Sequence, residues 1–373
     1  MRLFLDGMNW LKTYISEISK NEDQEWGQTG WRSPANIALV KYWGKKEGQV
    51  PLTPSLSFSL TNSCTETILT FRKKTAETKT IDFTFFFEKE KNPLFAQRIG
   101  NYLNTLTGEF PFLFDYHLTI ESHNSYPHSA GIASSASSMS ALALCLCSLE
   151  QKIPGIPNRP DFFQRASRIA RLGSGSACRS VYGGFSVWGN THEIINSSDY
   201  YALPVKAGIH SNFKNICDAV LIIDPTPKNV SSRSGHELMD NHPSKADRIR
   251  QASENLRKLL LTLRTGDFFA FAEVVEAEAV TLHELMKTSS PSFSLLKPET
   301  VEVTDRIKAC RRKIGLPVCY TLDAGPNVHL IYPEEVRNEV AGFIEKDLSG
   351  FCDNGSWIDD RIGKGPQNID FKV

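Results

Sequence analysis

A run of small residues, Pro127-His-Ser-Ala-Gly131-Ile-Ala-Ser134-Ser135-Ala-Ser, opens directly onto an apolar stretch, Met139 to Leu149, and no other segment restricts the fold as much. The pattern predicts a helix over 137–149, preceded by a loop whose backbone can approach a ligand closely because its side chains are small. The first amides of such a helix have no internal partner. Together with the helix dipole they form an anion site that needs no basic side chain. A second run, Gly173-Ser174-Gly175-Ser176-Ala-Cys-Arg179, ends in a guanidinium suited to a carboxylate or a phosphate. The two runs together point to a phosphorylated acid as ligand.

With 373 residues, the chain is long enough for one large domain or two ordinary ones. Its apolar and charged fractions, 40% and 23%, argue against a disordered or fibrous protein. The formal net charge is zero, which speaks against a global pull toward nucleic acid or an anionic membrane. Any anion must then be held by local groups. The eight cysteines are scattered without a Cys-x-x-Cys pair, the pattern of free thiols in a reducing cytosol. The nine histidines show no His-Glu-x-x-His spacing, which argues against a catalytic zinc. Met1 to Trp10 carries Asp6 and lacks the uninterrupted apolar core of a secretory signal. No stretch approaches the roughly 20 apolar residues needed to span a bilayer. A soluble, cytoplasmic protein is expected.

Residues 1–28 read as an N-terminal extension, with a short amphipathic piece around Trp10 to Ile18. Strands are predicted at Ala35–Val40, Leu56–Leu60, Ile81–Phe85 and Val181–Trp188, and helices over 92–106, 137–149 and 160–173. Arg72 to Lys91, charged and aromatic, reads as a flap or an edge hairpin. A second region begins near Val205, with strands at Ala219–Ile223, Val318–Leu322 and Val328–Tyr332 and long amphipathic helices over 246–263, 268–286 and 300–313. The expected fold is α+β, with domains at 29–204 and 205–373 and a cleft between two lobes.

The acid singled out is Asp323, in Tyr320-Thr-Leu-Asp323-Ala-Gly325-Pro-Asn327, where a strand runs into a small-residue turn. An aspartate at a turn ordinarily caps its own backbone. Its company favours a chemical role. Lys41 and Lys45 flank Tyr42 and Trp43, and a lysine beside Asp323 would keep the acid ionised and steady developing phosphate charge. Arg179 follows one serine–glycine turn, and Arg233 sits in another, Val230-Ser231-Ser232-Arg233-Ser234-Gly235.

Four blocks, Asn36-x-Ala38-x-x-Lys41-Tyr-Trp-Gly-Lys45, Ala130-Gly-Ile-Ala-Ser-Ser-Ala136, Gly173-Ser-Gly-Ser-Ala-Cys-Arg-Ser180 and Asp323-Ala-Gly-Pro-Asn327, resemble diphosphomevalonate decarboxylase, a family of the GHMP small-molecule kinase superfamily. They occur in the family's order and span most of residues 30–335. The Ala-Gly-x-x-Ser-Ser loop is shared across the superfamily; the other three are more specific. His128-Ser129 stands where the family usually has Thr-Ala, and the N-terminal extension has no counterpart in the family pattern. The segment from Gly173 to Gly184 holds no Asp or Glu, where superfamily kinases often place an acid. That absence favours a decarboxylase.

The resemblance implies a two-lobed GHMP fold and roles for individual residues. Ala130, Gly131, Ala133, Ser134 and Ser135 would cradle the phosphates of ATP, with Ser135 near Mg²⁺. Asp323 would face the substrate's tertiary hydroxyl with Lys41 beside it, Arg179 would grip the substrate carboxylate, and Asn36 would orient that arginine. Tyr42, Lys45, Ser174, Ser176, Ser232 and Arg233 match positions around the phosphate and carboxylate ends of the substrate. The implied reaction is ATP-dependent decarboxylation of mevalonate 5-diphosphate to isopentenyl diphosphate, CO₂, ADP and phosphate. Relatives are often homodimers, so a homodimer is expected by analogy. The alternatives are a decarboxylase of the 5-monophosphate, a kinase that stops at the 3-phosphate, and an inactive metabolite-binding relative.

Overall fold

The two longest strands are neighbours, and the sequence shows only fragments of each. In the computed structural model, which describes residues 25–76, 78–126, 132, 134–157, 159–226, 232–369 and 371 (backbone alone at 232–234), β1 runs over Trp26–Val40 and β2 over Ser55–Lys73. They pair antiparallel, with register shifts between Pro34 and Asn36 and between Ala38 and Val40. Proline has no amide to give to the ladder, so the first irregularity falls where the ladder cannot continue. The alternation Leu56-Ser-Phe58-Ser-Leu60 predicts one apolar and one solvated face. Instead Ser55, Ser57 and Ser59 are as buried as their apolar neighbours, because their hydroxyls meet partners on the neighbouring strand at 185–188 and on the C-terminal segment: Ser55 Oγ donates to the Trp188 carbonyl, Ser57 Oγ lies 3.4 Å from Ser186 Oγ, and Ser59 Oγ donates to the Gly363 carbonyl.

Among the described residues the first sheet has eight strands. Strand β3 (Asp82–Phe87) pairs parallel with β4 (Tyr116–Asn124), which lies next to β2. Arg72 to Lys91 includes the edge hairpin, since β3 turns back through Glu88 and Lys89, both at positive φ, into Glu90–Lys91. Strand β5 (Phe185–Trp188) pairs with the start of β2 and with β6 (Ala202–Pro204). The predicted strand over 181–188 is shorter than expected because Val181 still caps a helical turn and Gly184 adopts a left-handed φ of 67°. Helices α1 (Pro93–Thr105), α2 (Ser134–Lys152) and α3 (Phe162–Gly173) cover one face and enclose a core of Leu69, Leu118, Ile120, Leu146 and Ile169. Pro93 opens α1 and Asn92 Oδ1 accepts the Phe95 amide, a capped start.

The second sheet is fully antiparallel, in the order β8 (Cys319–Leu322), β9 (Val328–Pro333), β7 (Ile216–Leu221), β10 (Trp357–Arg361). The long helices α6 (Lys245–Thr265) and α7 (Phe268–Lys287), which follow the short helices α4 (Ala177–Ser180) and α5 (Ser232–Glu237), share a core with one face of this sheet and with the apolar ends of β1 and β2. Helix α8 (Pro298–Ile314) covers the other face. One mixed sheet and one antiparallel sheet, both flanked by helices, make the fold α+β, as the sequence pattern led us to expect.

After β10 the chain returns to the first sheet. Asp360 accepts the amides of Thr61, Asn62 and Ser63, and Gln367–Asn368 pair with β1. The crossing is close: a Cβ on Gly363 would stand 2.1 Å from the Leu60 carbonyl oxygen. Gly363→Ala is therefore expected to cost about 1–3 kcal/mol, the range for overpacking. A thermal midpoint equal to that of the unaltered protein would show that the crossing is slack.

Candidate active site

Lys41 is the first residue beyond β1 and Asp323 the first beyond β8, so two sheets present them to each other. Lys41 Nζ lies 2.8 Å from Asp323 Oδ1; the lysine side chain is 3% exposed, the aspartate 23%. The Asp-Ala-Gly-Pro-Asn turn is fixed by its own bonds. Asn327 Oδ1 accepts the Ile223 and Asp224 amides, and Thr300 Oγ1 donates to the Pro326 carbonyl. The carboxylate is thus held by a bound turn at the wall of a cleft of about 730 Å³.

Asn36, Lys41, Tyr42, Lys45, Ser134, Ser135, Ser174, Ser176, Arg179 and Asp323 all line that cleft. The two serine runs meet there, with Ser135 Oγ and Ser174 Oγ 3.2 Å apart. Asp323 therefore opens onto both turns and not into the core. Ala130, Gly131 and Ala133 lie outside the described residues, as do the side chains of Ser232 and Arg233, residues 1–24 and His128-Ser129. The backbone of 232–233 begins α5, whose Gly235 and His236 pack against Trp43.

Arg179, on α4, is 2% exposed. Its Nε donates to Asn36 Oδ1 at 3.1 Å, its Nη1 contacts Ser55 Oγ, and its guanidinium lies 6.0 Å from the Trp188 ring centre. Asn36 is itself oriented, donating to Ser180 Oγ at 2.8 Å and to the Ser176 carbonyl at 3.1 Å. Burial pushes the guanidinium pKa down. Among the described residues Arg179 makes no ion pair: the Asp323 charge acts on it, but that carboxylate is paired with Lys41, and a cation kept this dry is costly unless a ligand supplies a close counter-charge. Tyr42 packs between Trp188 and His236, with its buried hydroxyl unpartnered among the described residues; burial raises its pKa. Gly175 must be glycine, since a Cβ would stand 2.7 Å from that hydroxyl.

Four further residues bear on the site without having been singled out in the sequence. Ser55 steadies Arg179. His236 stacks on Tyr42 and Trp43 at 4.3 and 4.9 Å and accepts the Gly44 amide on Nδ1. His283 Nε2 lies 3.1 Å from the Asp323 carbonyl, and Glu278 accepts the Lys41 amide. Only His236 left a signal, since it directly follows the hydroxyl-rich loop that holds Arg233. The others come from a strand and a helix whose patterns read as ordinary packing.

Burial holds the His236 imidazole down at about 3, with the Lys45 charge adding to it, and His283 at about 4, against an ordinary value of 6.5. Between pH 6.5 and those values the unfolded chain binds protons that the folded protein does not. Stability is therefore full above the ordinary histidine range and is lost as pH falls, by up to about 1.4 kcal/mol per pH unit for each imidazole. The thermal midpoint is expected to drop between pH 6.5 and 4.5, less steeply in His236→Phe. Equal slopes in the two proteins would remove His236 from this account.

Family models match the two halves: the diphosphomevalonate decarboxylase-like N-terminal domain over residues 33–202, and the mevalonate 5-diphosphate decarboxylase C-terminal domain over 219–366. The diphosphomevalonate decarboxylase of Aspergillus fumigatus is 30% identical over 332 residues, 85% of this chain and 79% of that protein. The crystal structure of mevalonate diphosphate decarboxylase from Staphylococcus aureus is similar with a TM-score of 0.79 at 29% identity, covering 93% of this chain and 99% of that one. A further solved chain, MDDEF in complex with MVAPP, AMPPCP and magnesium, gives 0.78 at 27% identity over 93% and 100% of the two chains. Two matching domains in order, a relative aligned over most of both chains, and structures superposing on nearly the whole fold lead to one conclusion: the chain belongs to the diphosphomevalonate decarboxylase family.

Proposed function

We propose that this protein catalyses the ATP-dependent decarboxylation of mevalonate 5-diphosphate to isopentenyl diphosphate, CO₂, ADP and phosphate. The observation that carries this is the buried, unpaired Arg179 guanidinium in the same cleft as the Lys41–Asp323 pair, a cation waiting for a carboxylate beside a base. Asp323 takes the proton of the substrate's tertiary hydroxyl as its oxygen attacks the γ-phosphorus of ATP, and ADP leaves. The Lys41 ammonium, 2.8 Å away, orients that carboxylate for the step. The C3–O bond of the new phosphate ester then breaks, inorganic phosphate leaves with the bonding electrons, and positive charge develops at carbon 3. The bond to the carboxylate breaks, its electrons form the double bond, and CO₂ is released. Arg179 and Asn36 hold the carboxylate in line for that elimination.

The small-residue run ending at Ser134 and Ser135, at the start of α2, is where the nucleotide phosphates would lie. The donors present suit Mg²⁺. No group of three or more His, Cys, Asp or Glu able to hold a metal occurs among the described residues, and Ser135 offers a hard hydroxyl oxygen in the cleft. An ion held mainly by nucleotide phosphates, with Ser135 beside it, is the arrangement Mg²⁺ favours, and it would supply charge neutralisation on those phosphates. In this reading residues 29–204 form the nucleotide-binding domain and 205–373 the second domain. The unpaired cysteines, buried except for the half-buried Cys310, suit a reducing compartment such as the cytosol.

The test is turnover. Purified protein with ATP and Mg²⁺ should release CO₂ and ADP in equal amounts from mevalonate 5-diphosphate. Release from the 5-monophosphate alone, or ADP without CO₂, would transfer the protein to one of the alternatives.

A further inference from the structure

The position of the Lys41 ammonium depends on a peptide unit that lies past the last residue of β1. Side chains hold that peptide. Glu278 Oε2 accepts the Lys41 amide at 2.8 Å, and Arg248 Nη2 donates to the Lys41 carbonyl at 2.9 Å. The two holders are joined by a pair of 2.7 Å contacts, Nη1 to Oε1 and Nη2 to Oε2, and Asn255 Nδ2 adds a 2.7 Å bond to Oε1. Glu278 is fully buried and Arg248 is 2% exposed. A buried ion pair is seldom more stable than well-packed apolar residues in its place. Its stability contribution therefore gives little reason for four donors to converge on one carboxylate here; the backbone of Lys41 does.

Helix α7 reaches the other half of the pair as well. Five residues beyond Glu278, about 7.5 Å along the axis, His283 lies 3.1 Å from the Asp323 carbonyl through Nε2. Its Nδ1 is buried and has no partner among the described residues, which places the proton on Nε2 as the donor. One rigid helix thus holds backbone groups of both Lys41 and Asp323, whose own strands belong to different sheets.

We infer that Glu278, Arg248 and His283 are positioning residues, and that α7 acts as a template fixing the distance between Lys41 and Asp323; this rests on the proposed role of that pair. None of the three touches substrate in this account, so their loss should lower kcat more than it raises KM.

The experiment is a double-mutant cycle on the full chain, with turnover of mevalonate 5-diphosphate and ATP as readout. Glu278→Gln keeps the shape but loses the charge that grips Arg248. It is expected to lower kcat about 10- to 100-fold per folded molecule, with both KM values within about twofold, the loss typical of small misplacement. In a Lys41→Met background the same change should have no further effect on kcat, because the group it positions is gone. His283→Gln, which keeps a donor, should retain more activity than His283→Phe. Equal losses with and without Lys41, or a lowered thermal midpoint with unchanged kcat, would reduce the cluster to a structural ion pair. If Glu278→Gln does not fold, Asn255→Leu removes one bond to Glu278 and should show the same pattern at smaller size. Absence of turnover in the unaltered protein would reject the reaction assignment, an outcome distinct from an additive cycle.

Discussion

Asp323→Asn is expected to fold, to bind ATP, and to lose turnover by about 10³-fold, in the range assigned to a positioned general base. The amide has the size of the carboxylate, and the turn that carries it is held by Asn327 and Thr300, so the fold has no cause to change. What changes is charge. The asparagine cannot take the hydroxyl proton, and the Lys41 ammonium, 3% exposed, loses its 2.8 Å counter-ion. A buried cation left in this way costs stability, so a lowered thermal midpoint accompanies the loss of activity. The decisive measurement is CO₂ release with nucleotide affinity followed in parallel. Activity within tenfold of the unaltered enzyme would remove Asp323 from the chemistry.

Arg179→Gln should separate function from stability in the opposite sense. The guanidinium is buried with no ion pair among the described residues, and burial already pushes its pKa down. Without substrate it is a cost to the fold, so replacing it with a neutral amide is expected to leave the thermal midpoint unchanged or higher. With substrate it is the counter-charge of a desolvated carboxylate, and truncating such a pair costs about 2–5 kcal/mol in binding. The variant should therefore show kcat/KM for mevalonate 5-diphosphate reduced by at least 30-fold, with ATP affinity nearly intact. Equal loss of ATP affinity would reassign the arginine to the nucleotide. A midpoint several degrees lower would mean that Asn36 and Ser55 satisfy it without a ligand.

Much of the site was legible because its chemistry is local. Small residues before an apolar run, a guanidinium after Gly-Ser-Gly-Ser, and an aspartate at the end of a strand are short patterns, and each lines one cleft. The long helices were legible for the same reason, since an apolar stripe repeats over many turns: 268–286 was expected and Phe268–Lys287 is found. Elements whose identity depends on a partner were not. Strand Trp357–Arg361 carries little periodic signal, and the buried serines of β2 imitate a solvated face.

The amino-acid sequence by itself determined which side chains are available for acid–base and anion chemistry, and where helices and strands with strong periodicity lie, because both depend on neighbours within a few residues. Tertiary structure alone decided that Lys41 meets Asp323 across 282 residues, that Arg179 is dry and makes no ion pair among the described residues, and that one helix holds the backbones on both sides of the pair. Burial and counter-charge are properties of surroundings assembled from distant segments. No local pattern records them.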